Sequence, residues 1–161
     1  MTRIFIEVDW MRELRIHHFF DIIRDYGSYK ILKEHAYEHS YHIIGKEIYE
    51  NRIREIRLVV KSDDICERCS YLSSGNCTDT IDHRSDFRYK ADFNDYLDTK
   101  IMKCMGYENR QIIEVKKLIM NAEKYLDKIF ELYEGNDIDN TKMRKKYVSI
   151  GINRKISELG L

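Results

Sequence analysis

Ile4, Ile6 and Val8 alternate with Phe5 and Glu7 near the start of the chain, which is the period-two pattern of a strand. Residues 10–15 follow neither a strand nor a helix period. From Ile16, the run IHHFFDIIRDYG sets Phe19, Phe20, Ile22 and Ile23 at helical spacing, and Gly27 supplies a left-handed end. Ser28 then reads as the N-cap of a second helix reaching to about residue 53. That helix has Leu32, Ala36 and Ile43 on one sector and Tyr37, Ile44 and Ile48 on another. Ile56, Leu58 and Val60 alternate with Arg57, Val59 and Lys61, the clearest strand pattern in the chain, and run directly into Asp63 and Asp64.

Residues 78–90 are polar and predict irregular structure. Phe93, Leu97, Ile101, Cys104 and Met105 recur mostly three or four apart and predict a helix over 92–105, broken by Gly106. Ile112, Val115, Ile119, Ala122, Leu126, Ile129 and Tyr133 predict the longest helix, over 111–133, stopped by Gly135 and Asn136. The expected fold is α+β and predominantly α. It has four or five helices, a small two-stranded sheet and a cysteine-rich metal loop, all in one domain over 1–161 with a basic C-terminal tail from about 136.

The chemistry is concentrated between Asp63 and His83, which holds three of the four cysteines. Cys66 and Cys69 form a Cys-x-x-Cys pair, the spacing at which a tight turn brings two sulfurs to one metal. Gly75 and Asn76 tolerate the positive φ values that would carry Cys77 back beside them. The neighbours are mainly Asp, Glu, Arg, Ser and Asn, so packing gives these thiols little use and metal binding is the expected role. Two residues qualify as fourth ligand. Cys104, on the inward stripe of its helix, makes an all-thiolate set suited to zinc or an iron–sulfur cluster, and it is the preferred choice. His83 makes the three-thiolate, one-imidazole set of structural zinc.

His35, His39 and His42 fall at i, i+4 and i+7 of the second predicted helix, a spacing that can hold a metal but that more often marks a polar edge. His17 and His18 are adjacent, so their rings are expected to diverge. One of them could hydrogen-bond the metal's ligands or donate a proton. No phosphate loop, dinucleotide fingerprint or Gly-x-Ser-x-Gly elbow is present. The 28 basic and 28 acidic residues cancel, which argues against a global field for nucleic acid and leaves a redox or protein partner as the expectation. No apolar run approaches the ~20 residues of a membrane span. Glu7 and Asp9 stand where a signal peptide needs its apolar core, so the expected compartment is a reducing cytoplasm.

The order Leu14-Arg15-x-His17-His18, then a strand running into Asp63-Asp64-Ile65-Cys66-x-x-Cys69, then Tyr71-Leu72, Gly75 and Cys77, resembles a family of short prokaryotic proteins of unknown function. These are described as iron–sulfur binders (domain of unknown function 1284). The likeness covers about residues 14–106, with the later helix and basic tail outside it. It implies an iron–sulfur cofactor, with zinc as the alternative, and gives weight to Arg15, His17 and His18 around the ligands. The family reads Arg-x-His-His-x-x-Cys near its start, and Asp21 occupies the place of that cysteine here. The resemblance therefore implies either that Asp21 substitutes for the missing thiolate or that the ligand has moved to Cys104. The expected function is electron transfer or cluster-dependent redox or sulfur chemistry. The alternative is a zinc-stapled binding or assembly module.

Overall fold

The structure, a computed structural model, describes residues 11–161, so the strand expected at Ile4 to Val8 lies outside the described residues. The fold is α+β and predominantly α, with seven α-helices among the described residues rather than four or five. The otherwise ambiguous residues 10–15 contribute a strand, β1 (Met11–Leu14), which pairs in parallel with β2 (Glu55–Leu58). Between them lie α1 (Ile16–Gly27) and α2 (Tyr41–Tyr49).

The second predicted helix fails over its first half. Residues 28–40 are an irregular loop in which Tyr29 and Glu38 take positive φ values of 58° and 60°, incompatible with a continuous helix. Ser28 closes α1 instead of opening α2. The loop is fastened to the cysteine segment by two backbone bonds, Ser40 N–H to Ile65 O at 2.8 Å and Ser70 N–H to Tyr37 O at 2.7 Å. Those tertiary bonds outweigh a local propensity that is weak for His, Tyr and Ser.

The Asp64–Cys66 segment is a single 3-10 turn whose Ile65 N–H is received by the Asp63 side chain. A short hairpin follows, β3 (Leu72–Ser73) and β4 (Asn76–Cys77), in which Leu72 faces Cys77. Its two turn residues are Ser74 and Gly75, with φ of 51° and 77°, the twist-matched geometry of a two-residue hairpin. Asn76, expected to help reverse the chain, is the first strand residue instead.

Helix α3 (Lys90–Met105) matches its pattern closely. The long helix predicted over 111–133 does not form as one piece. Ile112–Glu114 becomes β5, antiparallel to β2, and completes a three-stranded sheet in the order β1-β2-β5. The rest is three short helices, α4 (Val115–Met120), α5 (Ala122–Asp127) and α6 (Ile129–Leu132), broken at Asn121 and Lys128. Their apolar positions still face inward, because a broken helix keeps roughly the same stripe.

The stretch read as a basic tail is α7 (Ile138–Leu159), packed along α1. The two helices approach so closely that a Cβ on Gly27 would lie 1.8 Å from Tyr147 O, and one on Gly151 2.2 Å from Ile23 O. Phe20 stacks face to face on Tyr125 at 3.8 Å beneath this crossing, and the Tyr125 and Tyr133 hydroxyls are 2.8 Å apart. Lys155 is fully buried and donates to Ile48 O, Tyr49 O and Asn51 Oδ1, closing the C-terminal end of α2. No described helix is long and apolar enough to cross a membrane.

Candidate metal centre

Helix α1 has no cap of its own. Its buried N-terminal N–H groups are received by carboxylates from elsewhere: Arg15 N–H by Asp63 Oδ2 at 2.7 Å, and His17 N–H by Asp98 Oδ1 at 3.1 Å. The same two carboxylates take the imidazoles that follow. His17 Nδ1 is 2.7 Å from Asp98 Oδ1, and His18 Nδ1 is 2.7 Å from Asp63 Oδ2. Arg15 holds Asp98 Oδ2 through one guanidinium nitrogen and Asp95 Oδ1 through another, each at 2.9 Å. This explains the Arg-x-His-His pattern: one helix start delivers two rings and a guanidinium to two buried acids.

The other oxygen of Asp63 accepts from Ile65 N–H at 3.1 Å and from the Cys66 thiol at 3.4 Å. Asp63 is thus surrounded by donors. Burial works against its charge, but the His18 ring and the Arg15 N–H hold its pKa below the ordinary value. Burial likewise opposes protonation of His18, yet Asp63 raises its pKa above the usual histidine value. Burial first and the Asp63 charge second push the Cys66 thiol up to about 12, so the metal-free thiol carries its proton.

Arg15 and the two rings held by the buried acids border a cavity of about 450 Å³ whose walls include Cys66, Cys69 and Cys77, together with His17, His18, His35, His39 and His83. The Cys-x-x-Cys turn is closed by Cys69 N–H to Cys66 O at 3.0 Å. The hairpin that returns Cys77 is anchored by Leu72 N–H to Cys69 O and Thr78 N–H to Tyr71 O. Among the described residues, no three His, Cys, Asp or Glu side chains stand at the spacing of a single ion. The donors encircle a space rather than converge on a point. All four cysteines are free thiols.

Cys104 is placed apart from the other three. It sits in the last turn of α3, about 10 Å along the helix axis from Leu97, the nearest α3 residue that borders the cavity, at 1.5 Å per residue. Its thiol donates to Lys124 O at 3.4 Å and lines a separate groove among Lys100, Lys103, Lys124 and Lys128. Helical spacing identified the residue's stripe but not how far along the stripe the site lies. Asp21 does border the cavity, but it is held by Arg144 and Arg24, which bring its pKa well below the carboxylate range against the effect of burial. His83 borders it too, with its ring edge-on to Phe93 at 5.3 Å.

The His17 and His18 rings do not diverge as adjacency suggested: their centroids are 4.2 Å apart. His35 and His39 reach the cavity from the loop, not from a helix, with rings stacked at 4.6 Å. His42 belongs to α2 and lines a different depression, with Glu34 and Glu38. The partners that sequence reasoning missed are the functions of Asp63 and Asp98. Asp98 carried a signal, since it follows Asn94 by four residues and sits beside Leu97 and Ile101 on a buried face where a carboxylate needs a partner.

Comparison with known proteins returns no match to a family model, a curated protein or a solved structure.

Proposed function

We propose that the protein is a cysteine-ligated metal-binding protein whose centre is an iron–sulfur cluster held by Cys66, Cys69 and Cys77. The observation that carries this reading is that the three thiols border one cavity of about 450 Å³, walled by carboxylate-anchored histidines. Donors arranged around a half-open cavity suit a multi-atom group better than a single ion, and thiolates are the usual anchors of iron–sulfur clusters. Once bound, such a group supplies one-electron redox chemistry or, with an iron free of protein thiolate, a site for substrate. The chain's own part is to supply thiolates from a tight turn and hairpin, and to shield them with the loop over 28–40.

Zinc is the second reading. It is favoured by the imidazoles beside the thiols, since three cysteines and one histidine form a common structural zinc set. The deciding experiment is anaerobic purification with iron, zinc and acid-labile sulfide analysis. Iron and sulfide with absorbance near roughly 400 nm support the cluster. Stoichiometric zinc without sulfide transfers the assignment to the second reading. Absence of both overturns the function.

A further inference from the structure

With Cys104 on another face of the molecule, a fourth donor has to come from the cavity itself, and four of its five histidines differ in which ring nitrogen is already engaged. Tyr37 N–H donates to His35 Nδ1 at 3.1 Å, and Tyr41 N–H donates to His39 Nδ1 at 3.4 Å. An Nδ1 that accepts a hydrogen bond leaves the proton on Nε2, so neither ring offers a lone pair there. His17 and His18 have the opposite arrangement. Each Nδ1 faces an ionised carboxylate and must donate, which leaves Nε2 as the lone-pair nitrogen whenever the ring is neutral, as a metal ligand must be. His83 has an edge-on contact with Phe93, and among the described residues its ring has no hydrogen bond to a carboxylate.

Of the two oriented rings, His18 alone shares its carboxylate with a cysteine. Asp63 holds His18 Nδ1 on one oxygen and the Cys66 thiol on the other, and its side chain is completely buried. Asp98 holds His17 but is occupied on its second oxygen by Arg15. We infer that His18 Nε2 is the nitrogen ligand of the metal centre, with Asp63 as the positioning residue that sets both His18 and Cys66. A carboxylate behind a metal-bound histidine fixes the tautomer and makes the nitrogen a stronger donor, and Asp63 stands in that position behind His18. The inference rests on the proposed metal reading but not on which metal it is.

The test is pulsed EPR on the reduced iron-loaded protein, or on the cobalt(II)-substituted protein if zinc is the native metal, with and without ¹⁵N-histidine labelling. The expected result is a histidine nitrogen coupling in the parent protein that is retained in His83→Ala and lost in His18→Cys, with metal still bound. Asp63→Asn should weaken metal affinity by about 10–100-fold. A parent spectrum without histidine coupling, or a coupling that survives in His18→Cys, overturns the inference while the metal reading stands. Should the parent protein bind no metal at all, the metal reading fails and takes this ligand assignment with it. If His18→Cys does not fold, His18→Gln is measured in its place, and a histidine coupling retained there overturns the inference equally.

Discussion

His18 Nδ1 lies 2.7 Å from Asp63 Oδ2, so the first helix and the cysteine turn meet through one buried carboxylate. Removing that carboxylate's charge should unsettle both. Asp63→Asn is expected to cost about 3 kcal/mol in the metal-free protein, because a buried imidazole and two N–H groups lose their anion. Urea unfolding at pH 6 measures it.

The same pair sets a pH dependence. His18 has a raised pKa, so its contribution is full below the ordinary histidine value and fades as pH rises through the raised one. Asp63 has a lowered pKa, so its contribution holds above the ordinary carboxylate value and is lost as pH falls through the depressed one. The metal-free protein should therefore gain most from the pair between about pH 4 and about pH 6.5 and lose that gain on either side. Urea midpoints across pH 3–9 should trace this dome in the parent, and Asp63→Asn should flatten it.

Cys66→Ser and Cys69→Ser should each lose stoichiometric metal, while Cys104→Ala keeps it, because that thiol faces a separate lysine-lined groove. Metal uptake should also release protons, since the Cys66 thiol is held protonated without metal. Metal per chain and pH-stat titration read the two effects. Retention of metal in both serine variants would sink the assignment.

Gly27→Ala and Gly151→Ala should each destabilise the fold by about 1–3 kcal/mol, as the added methyl meets backbone rather than a yielding side chain. Thermal and urea unfolding measure this without reference to any ligand. An unchanged midpoint would mean that α1 and α7 are not packed this closely.

Much of the architecture was legible because the hydrophobic pattern is a local signal. Ile16 to Gly27 and the stripe through Phe93, Leu97 and Ile101 gave their helices directly. What patterning could not give were outcomes decided at long range. Ile112–Glu114 became a strand because β2 offered it partners, and residues 28–40 became a loop because Ile65 O and Ser70 N–H took its bonds. The three clustered cysteines and Arg15, His17 and His18 do border the same cavity, as their chemistry and order suggested. Cys104 misled because a place on the apolar stripe fixes neither the burial of its thiol, which is half-buried against a lysine-lined groove, nor which end of the helix the cavity occupies.

Capping by foreign acids also bears on the order in which the chain can assemble. Arg15 waits for Asp63, 48 residues later, and His17 for Asp98, 81 residues later. Contacts of that separation form only after the intervening loops have closed, so the first turn of α1 is completed late in folding. During synthesis the chain emerges from its N-terminal end. The histidines therefore appear well before the acids that orient them, and a cofactor delivered before residue 98 has emerged would meet thiols without their completed enclosure.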